Sequence, residues 1–153
     1  MVAETRSEAI QHLCIEKAIL IAAPIEIAFE AMLDELGPEC TLPDGTAMPM
    51  ILEAYPGGRW YRDLGNHAGH FWGHVQVIKP PNLLEISGPL FMSFPCANHI
   101  QYRFAADGIG TRLTLMHRGF GEVPEEYLNR IGVGWAHGLQ VIKAIAEARF
   151  PGK

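Results

Sequence analysis

The sequence is poor in cysteine and in basic residues, and it lacks a long apolar run. Its three cysteines, Cys14, Cys40 and Cys96, are an odd number at wide separations, which indicates neither a disulfide framework nor a CxxC metal site. Twelve lysines and arginines against 17 aspartates and glutamates give a formal net charge of −5. That balance disfavours a nucleic-acid partner, because binding to phosphates depends on Lys and Arg.

The chain has no run of about 18 or more apolar residues that could span a bilayer, and its N-terminus has no basic stretch followed by an apolar segment. We therefore expect a cytoplasmic protein with reduced thiols and no membrane span. With 153 residues, of which 48% are hydrophobic, the chain fits a single globular domain over residues 1–153.

Familiar catalytic sequences are also missing, since the chain has no nucleophile elbow, HExxH motif, Walker A sequence or kinase signature. Among its seven histidines, His67, His70 and His74 are close in sequence. If His70 and His74 share a strand they stand about 13 Å apart, too far to reach one ion. We therefore expect neither a metal nor a cofactor.

The spacing of the apolar residues predicts the order of elements. Alternation over residues 13–21 indicates a strand, and helical spacing after Pro24 indicates a helix that Gly37 and Pro38 end. Turn-forming residues predict a loop over 39–49. Shorter strands are expected over residues 50–55, 59–64, 70–79 and 83–87.

A β-hairpin is the clearest local prediction. Two runs of alternating apolar residues flank a two-residue turn at Gly108 and Ile109. That turn sets three pairs of residues opposite each other: Phe104 and Leu113, Tyr102 and Leu115, and Ile100 and His117.

The longest helix begins after Pro124, with Glu125 and Glu126 in its first turn, where carboxylates complement the helix dipole. Its apolar stripe consists of Leu128, Ile131, Trp135, Leu139, Ile142 and Ile145. Three glycines interrupt this helix, Gly132, Gly134 and Gly138, and each costs about 1 kcal/mol relative to alanine. Three explanations stay open: space for a ligand, a kink, or close approach of the sheet.

The order of elements occurs together with four short runs, namely Pro56-Gly57-Gly58-Arg59-Trp60-Tyr61, Gly73-His74-Val75, Gly110-Thr111-Arg112-Leu113-Thr114-Leu115 and Gly134-Trp135. Over residues 13–148 the chain resembles the SRPBCC (START-like) superfamily. Within it, the chain is similar to the bacterial branch related to the C-terminal domain of the activator of the heat-shock-protein-90 ATPase. The resemblance implies an α+β helix-grip fold: a curved antiparallel sheet of six to seven strands around a long C-terminal helix, with a short helix after the first strand.

The resemblance also implies a hydrophobic cavity between the sheet and the last helix. The expected lining residues are Trp60, Phe71, Val75, Ile86, Ile100, Tyr102, Phe104, Leu113, Leu115, Trp135 and Leu139. Core packing is the alternative role for each of them. Phe91 and Phe94 lie in an apolar connection, residues 88–98, that either covers the cavity mouth or fills a gap in the core.

His117, next to Tyr102, is the expected polar pair of this cavity. It could orient a ligand carbonyl or hydroxyl, act as an acid or base, or be a hydrogen-bonded core histidine. No catalytic residue is assigned; in an enzyme, His117 and Tyr102 are the candidates.

Three functions are compatible with these features. The leading one is binding of a hydrophobic small molecule, lipid- or polyketide-like, as a carrier or sensor. The second is a cyclase- or dehydratase-like enzyme acting on a hydrophobic substrate. The third is a module that stimulates a chaperone ATPase, although 153 residues leave no room for the extra chaperone-binding domain of the eukaryotic co-chaperones. A homodimer through the outer sheet face or the first strand is also compatible with the sequence.

Overall fold

The structure is a computed structural model that describes residues 3–7 and 9–151. Within these residues the chain forms seven strands and two helices. In chain order they are β1 (Gln11–Ile21), α1 (Ile25–Glu35), β2 (Ile51–Leu52), β3 (Arg59–Gly65), β4 (Ala68–Lys79), β5 (Leu83–Gly88), β6 (Cys96–Asp107), β7 (Gly110–Gly121) and α2 (Glu125–Ala148).

The strands form one antiparallel sheet in the order β1-β7-β6-β5-β4-β3-β2. The helix α2 packs against α1 and β1, and its inward face buries Ile131, Trp135, Leu139 and Ile142. The expected α+β helix-grip fold, a curved sheet with a long C-terminal helix and a short helix after the first strand, is thus confirmed. Neither helix is long and apolar enough to cross a membrane.

The register of the β6–β7 hairpin is as predicted. Phe104 pairs with Leu113, Tyr102 with Leu115, and Ile100 with His117. The apolar faces of the two strands coincide, because side chains alternate across the sheet and these inward positions are buried on both strands. Gly108 has a φ of 62°, a left-handed conformation that a two-residue hairpin turn requires.

The strand predicted over residues 50–55 is shorter than expected and consists of Ile51–Leu52. The regular pairing with β3 ends at Leu52. The backbone N–H of Glu53 still donates to the carbonyl oxygen of Arg59 at 2.9 Å, but the backbone N–H of Arg59 donates to the Glu53 carboxylate at 2.8 Å and the Arg59 side chain donates to it at 2.9 Å. The Glu53 carboxylate therefore replaces one backbone acceptor of the next strand pair, and the chain turns through residues 55–58.

The prediction that Phe71 faces the interior is wrong. Phe71 is 40% exposed on the outer face, whereas its neighbour Trp72 is 8% exposed. Counting in steps of two back from the buried Val75 places Phe71 inward. However, the pairing of β3 with β4 shifts between Trp60 and Tyr61, and the extra residue at this β-bulge turns Trp72 inward instead.

Candidate functional site

A pocket of about 550 Å³ lies between α2, the 40–48 loop, and the β3–β4 end of the sheet. Its walls are almost entirely apolar. The loop contributes residues 40–43 and Met48, α2 contributes residues between Tyr127 and Trp135, and the end of α1 contributes Glu35 and Leu36. The loop is fastened to α2 by a hydrogen bond between Thr41 Oγ1 and His137 Nε2, which are 2.8 Å apart.

Aromatic rings form one continuous wall of the pocket. The three tryptophans of the chain, Trp60, Trp72 and Trp135, all line it together with Phe91. Ring centroids are 4.8 Å apart between Trp60 and Trp72, 5.5 Å between Trp72 and Phe91, and 6.0 Å between Phe91 and Trp135. Such tilted and edge-to-face contacts are the favoured arrangement of aromatic pairs, so the four rings pack against one another along the wall.

The two tryptophans from the sheet differ in their hydrogen bonding. Trp60 Nε1–H donates to the carbonyl oxygen of Leu36 at 2.7 Å, which fixes its ring to the end of α1. Trp72 Nε1 is a buried nitrogen with no hydrogen-bond partner within the described part of the chain. An unpaired buried N–H of this kind destabilises a fold by roughly 1–3 kcal/mol.

His117 is fully buried behind Trp135. Trp135 Nε1–H donates to His117 Nδ1 at 3.0 Å, so Nδ1 carries no proton, and His117 Nε2–H donates to Asn98 Oδ1 at 2.8 Å. Burial lowers the pKa of His117 to about 4. The imidazole is therefore neutral, both its nitrogens are occupied, and it orients Trp135 rather than facing the pocket.

Most of the expected cavity residues fall into two groups. Trp60, Phe91 and Trp135 line the pocket. Seven others, namely Val75, Ile86, Ile100, Phe104, Leu113, Leu115 and Leu139, are buried in the hydrophobic core and do not line it. Phe94 is partly buried and packs its ring against Tyr127 at a centroid distance of 5.4 Å.

Tyr102 also lies in the core, 2% exposed. Burial raises the pKa of its hydroxyl well above the usual range, and the nearby Glu35 and Cys40 act in the same direction. Tyr102 and His117 are thus both inward, as expected from the sequence, but the pocket is lined by neither of them.

Glu35 is a polar residue of the pocket that sequence reasoning missed. It is the last residue of α1, is 6% exposed, and lines the pocket. Its carboxyl makes no hydrogen bond or ion pair with any residue among 3–7 and 9–151. The helical spacing of Ala28, Met32 and Glu35 was a usable signal, because it places Glu35 on the buried face of α1.

Burial controls the ionisation of the two acidic groups at this end of the pocket. It raises the pKa of Glu35 to about 8, because a carboxylate is poorly solvated in an apolar site. Burial, and then the proximity of Glu35, raises the pKa of the Cys40 thiol to about 12. At neutral pH the pocket therefore holds an uncharged carboxylic acid and an uncharged thiol.

The glycines of α2 have separate roles. A β-carbon added to Gly134, which lines the pocket, would meet no atom within 4 Å. At Gly138 it would come within 2.9 Å of Glu35 Oε1, so this glycine makes room for the Glu35 side chain. At Gly132 it would meet only Lys17 Cε, at 3.9 Å. The helix runs unbroken through all three.

No group of three or more His, Cys, Asp or Glu side chains within residues 3–7 and 9–151 is arranged to hold a metal ion. His74 Nδ1 instead lies 3.0 Å from the carbonyl oxygen of Gly57, and the ring of His70 packs against Trp72 at a centroid distance of 6.2 Å.

Solved structures share the fold at low sequence identity. An uncharacterised protein from Rhizobium leguminosarum superposes with a TM-score of 0.71 and 17% identity, over 92% of this chain and 97% of that one. Ara h 8.0201 gives 0.68 and 12% identity, over 90% and 99% of the two chains. No protein-family model and no curated protein sequence matches the chain.

A third similar structure is the di-domain ARO/CYC StfQ from the steffimycin biosynthetic pathway. Its TM-score is 0.65 with 15% identity, and the match covers 90% of this chain and 51% of StfQ. Together these likenesses are consistent with an SRPBCC-type helix-grip fold. The narrower branch, related to the activator of the heat-shock-protein-90 ATPase, and a chaperone partner stay predictions from the sequence.

Proposed function

We propose that this protein binds an apolar small molecule, lipid- or polyketide-like, in the pocket between α2, the 40–48 loop and the β3–β4 end of the sheet, as a carrier or sensor. The pocket itself supports this most directly: it has a volume of about 550 Å³ and almost entirely apolar walls. Small-molecule sites typically measure about 300–1,000 Å³ and combine apolar walls with a few polar groups.

Two further features support the same proposal. Gly134 leaves open space at the pocket wall in the interior of α2, where glycine is less stable than alanine by about 1 kcal/mol. The aromatic wall offers a large apolar contact surface whose rings are already packed, so little side-chain freedom is lost when a ligand binds.

A titration with Nile red, an uncharged apolar dye, tests the proposal. Because all three tryptophans line the pocket, a dye that enters it quenches the tryptophan fluorescence while its own emission shifts to the blue. Gly134→Leu fills open space in the pocket and is expected to weaken binding by about tenfold or more, as the leucine takes the place of the dye.

Gly132→Leu is the matched control, since Gly132 is in the same helix but does not line the pocket. It is expected to bind the dye as the unchanged protein does. Equal loss of binding in both variants would show that the dye binds elsewhere, and quenching that survives Gly134→Leu would contradict the pocket as the site.

A cyclase-like enzyme is the second candidate, and Glu35 is the observation that favours it. A carboxylic acid that stays protonated near neutral pH in an apolar pocket can donate a proton to a substrate carbonyl as a general acid. The fold shared with the ARO/CYC protein StfQ is compatible with this chemistry. His117, with both ring nitrogens engaged, is less suited to it.

Turnover of a poly-β-ketone separates the two candidates. An enzyme that uses Glu35 as its acid loses turnover by about 100-fold or more in Glu35→Gln while still binding substrate. A carrier converts no substrate in either form, and this is the outcome that our leading proposal predicts.

A further inference from the structure

Glu35 is the buried carboxyl group of the proposed binding pocket. Glu35 is more than nine-tenths buried, and its carboxyl makes no hydrogen bond or ion pair within residues 3–7 and 9–151. A buried polar group is normally hydrogen-bonded, because desolvation without compensation is unfavourable. An unpartnered carboxyl on the wall of an otherwise apolar pocket therefore points to a ligand as its missing partner.

The surroundings keep this carboxyl in place. Gly138 packs directly against it, since a β-carbon there would come within 2.9 Å of Oε1. Cys40, Leu36 and Trp60 line the same pocket, and Trp60 is fixed to Leu36 by its indole hydrogen bond. The Glu35 side chain is thus held by packing, with its carboxyl at the pocket.

We infer that Glu35 is the polar anchor of the pocket and donates a hydrogen bond to a carbonyl oxygen on an uncharged, otherwise apolar ligand; this inference rests on the proposed binding function. The alternative is an amine ligand, which would pair with an ionised Glu35. Its affinity would rise with pH, whereas the affinity for a carbonyl ligand falls. A carboxylate at position 35 can only accept hydrogen bonds and repels a carbonyl oxygen.

The protonation state of Glu35 then controls binding. The titratable and charged groups around Glu35 come from several elements. Cys40 from the loop and Tyr102 from β6 interact with Glu35 electrostatically. Arg62 of β3 acts on Cys40, and α2 contributes Arg130 to the pocket wall and His137 to the bond with Thr41. Cys40, with a pKa of about 12, and Tyr102, with its raised pKa, stay neutral while Glu35 titrates near pH 8.

The test compares Nile red, whose ring carbonyl accepts a hydrogen bond, with pyrene, which has no acceptor. At about pH 6, Glu35→Gln still offers a donor and is expected to bind Nile red as the unchanged protein does. Glu35→Met keeps the shape but removes the donor, so it is expected to bind Nile red about tenfold more weakly and pyrene at least as well.

A second comparison varies the pH. In the unchanged protein, the apparent Kd for Nile red is expected to rise about tenfold between about pH 6 and pH 9, because only about one molecule in ten then keeps a protonated Glu35. Glu35→Gln is expected to bind Nile red with a Kd that does not change with pH. Glu30→Gln, which changes an exposed side chain of the same helix, is expected to keep the pH dependence of the unchanged protein.

The outcomes are distinct. Equal weakening of Nile red and pyrene in Glu35→Met, or a pH dependence that persists in Glu35→Gln, would overturn the anchor but leave the apolar pocket intact. Tighter binding of Nile red at high pH would also overturn it. If the unchanged protein bound neither probe, the binding function and the anchor would both fail.

Discussion

At the scale of single residues, burial shifts the pKa values of two ionisable side chains, Glu35 and His117, in opposite directions. Glu35 and His117 are each uncharged in the fold, because burial raises the pKa of Glu35 to about 8 and lowers that of His117 to about 4. The difference lies in their partners. His117 has a hydrogen bond at each ring nitrogen, which is typical of a structural group. Glu35 lines the pocket, and its carboxyl has no hydrogen bond to the part of the chain that the structure describes.

Glu35→Gln is expected to change how stability depends on pH. Between about pH 4.5 and 8 the folded protein holds a proton on Glu35 that the unfolded chain has lost, so the free energy of unfolding falls as pH rises through this window. The total loss is on the order of 5 kcal/mol. The variant has no such loss, so urea unfolding should find it near wild-type stability at about pH 4 but more stable at about pH 9.

Glu30→Gln, with its exposed side chain on the same helix, is the control and should follow the wild-type profile. Parallel profiles for Glu35→Gln and the unchanged protein would show that Glu35 is not protonated in the fold at neutral pH.

Trp60→Phe and Trp72→Phe are expected to differ in stability although both remove an indole N–H from the pocket wall. Trp60→Phe leaves the carbonyl of Leu36 without its donor, whereas Trp72→Phe removes an N–H that has no partner among the described residues. Urea unfolding should therefore find Trp60→Phe less stable than Trp72→Phe by about 1–2 kcal/mol. The reverse order would indicate that the Trp72 N–H is paired in solution.

At the scale of elements, the glycines of α2 define how the helix meets the pocket. Gly132→Ala and Gly134→Ala place a methyl group where no close contact occurs, so each is expected to raise the free energy of unfolding by up to about 1 kcal/mol. Gly138→Ala forces the Glu35 carboxyl to move and should lose most of this gain. Thermal or urea unfolding of the three variants measures these differences. An equal rise in the free energy of unfolding for Gly138→Ala would contradict the close contact between position 138 and the Glu35 carboxyl.

Local patterns predicted most elements, since each depends on neighbouring residues. The β6–β7 register followed from alternation and a two-residue turn, and α2 from Pro124 and its apolar stripe. The bulge in β4 escaped prediction because its extra residue arises from pairing with β3, which alternation along one strand does not contain. Trp72 was therefore missed and Phe71 wrongly placed inward.

The candidate site was less predictable than the fold. Trp60, Phe91 and Trp135, which the sequence predicted at a cavity, lie at the pocket, but this pocket is displaced towards α1 and the 40–48 loop. That loop shows no periodicity, so nothing in the sequence placed Cys40 or Met48 at the pocket. Glu35 was overlooked because a glutamate at the end of a helix is normally exposed.

At the scale of the whole molecule, the two buried groups together predict an optimum of stability in weakly acidic solution. Below about pH 6.5 the unfolded chain takes up a proton at His117 that the folded protein takes up only near pH 4, so stability falls as pH drops through that window. Glu35 acts in the opposite sense up to about pH 8. The effects of His117 and Glu35 on how the free energy of unfolding changes with pH cancel at about pH 5 to 6, where stability is highest.

Urea unfolding at a series of pH values measures where this optimum of stability lies. The unchanged protein is expected to be most stable near about pH 5 to 6, and in Glu35→Gln the maximum should move to above about pH 6.5, where only the His117 effect remains. A maximum above pH 8 in the unchanged protein would contradict the assignment. Dimerisation through the outer sheet face or the first strand stays a prediction.

The central claim is that an apolar ligand occupies the pocket between α2, the 40–48 loop and the β3–β4 end of the sheet. The most direct measurement is a two-dimensional ¹H–¹⁵N NMR titration with Nile red, because the three tryptophan side chains of the protein all line this pocket. We predict that all three indole resonances shift together with backbone signals of residues 40–42 and 130–135. Unchanged indole signals at saturating dye, or shifts confined to the outer face around Phe71, would contradict the account.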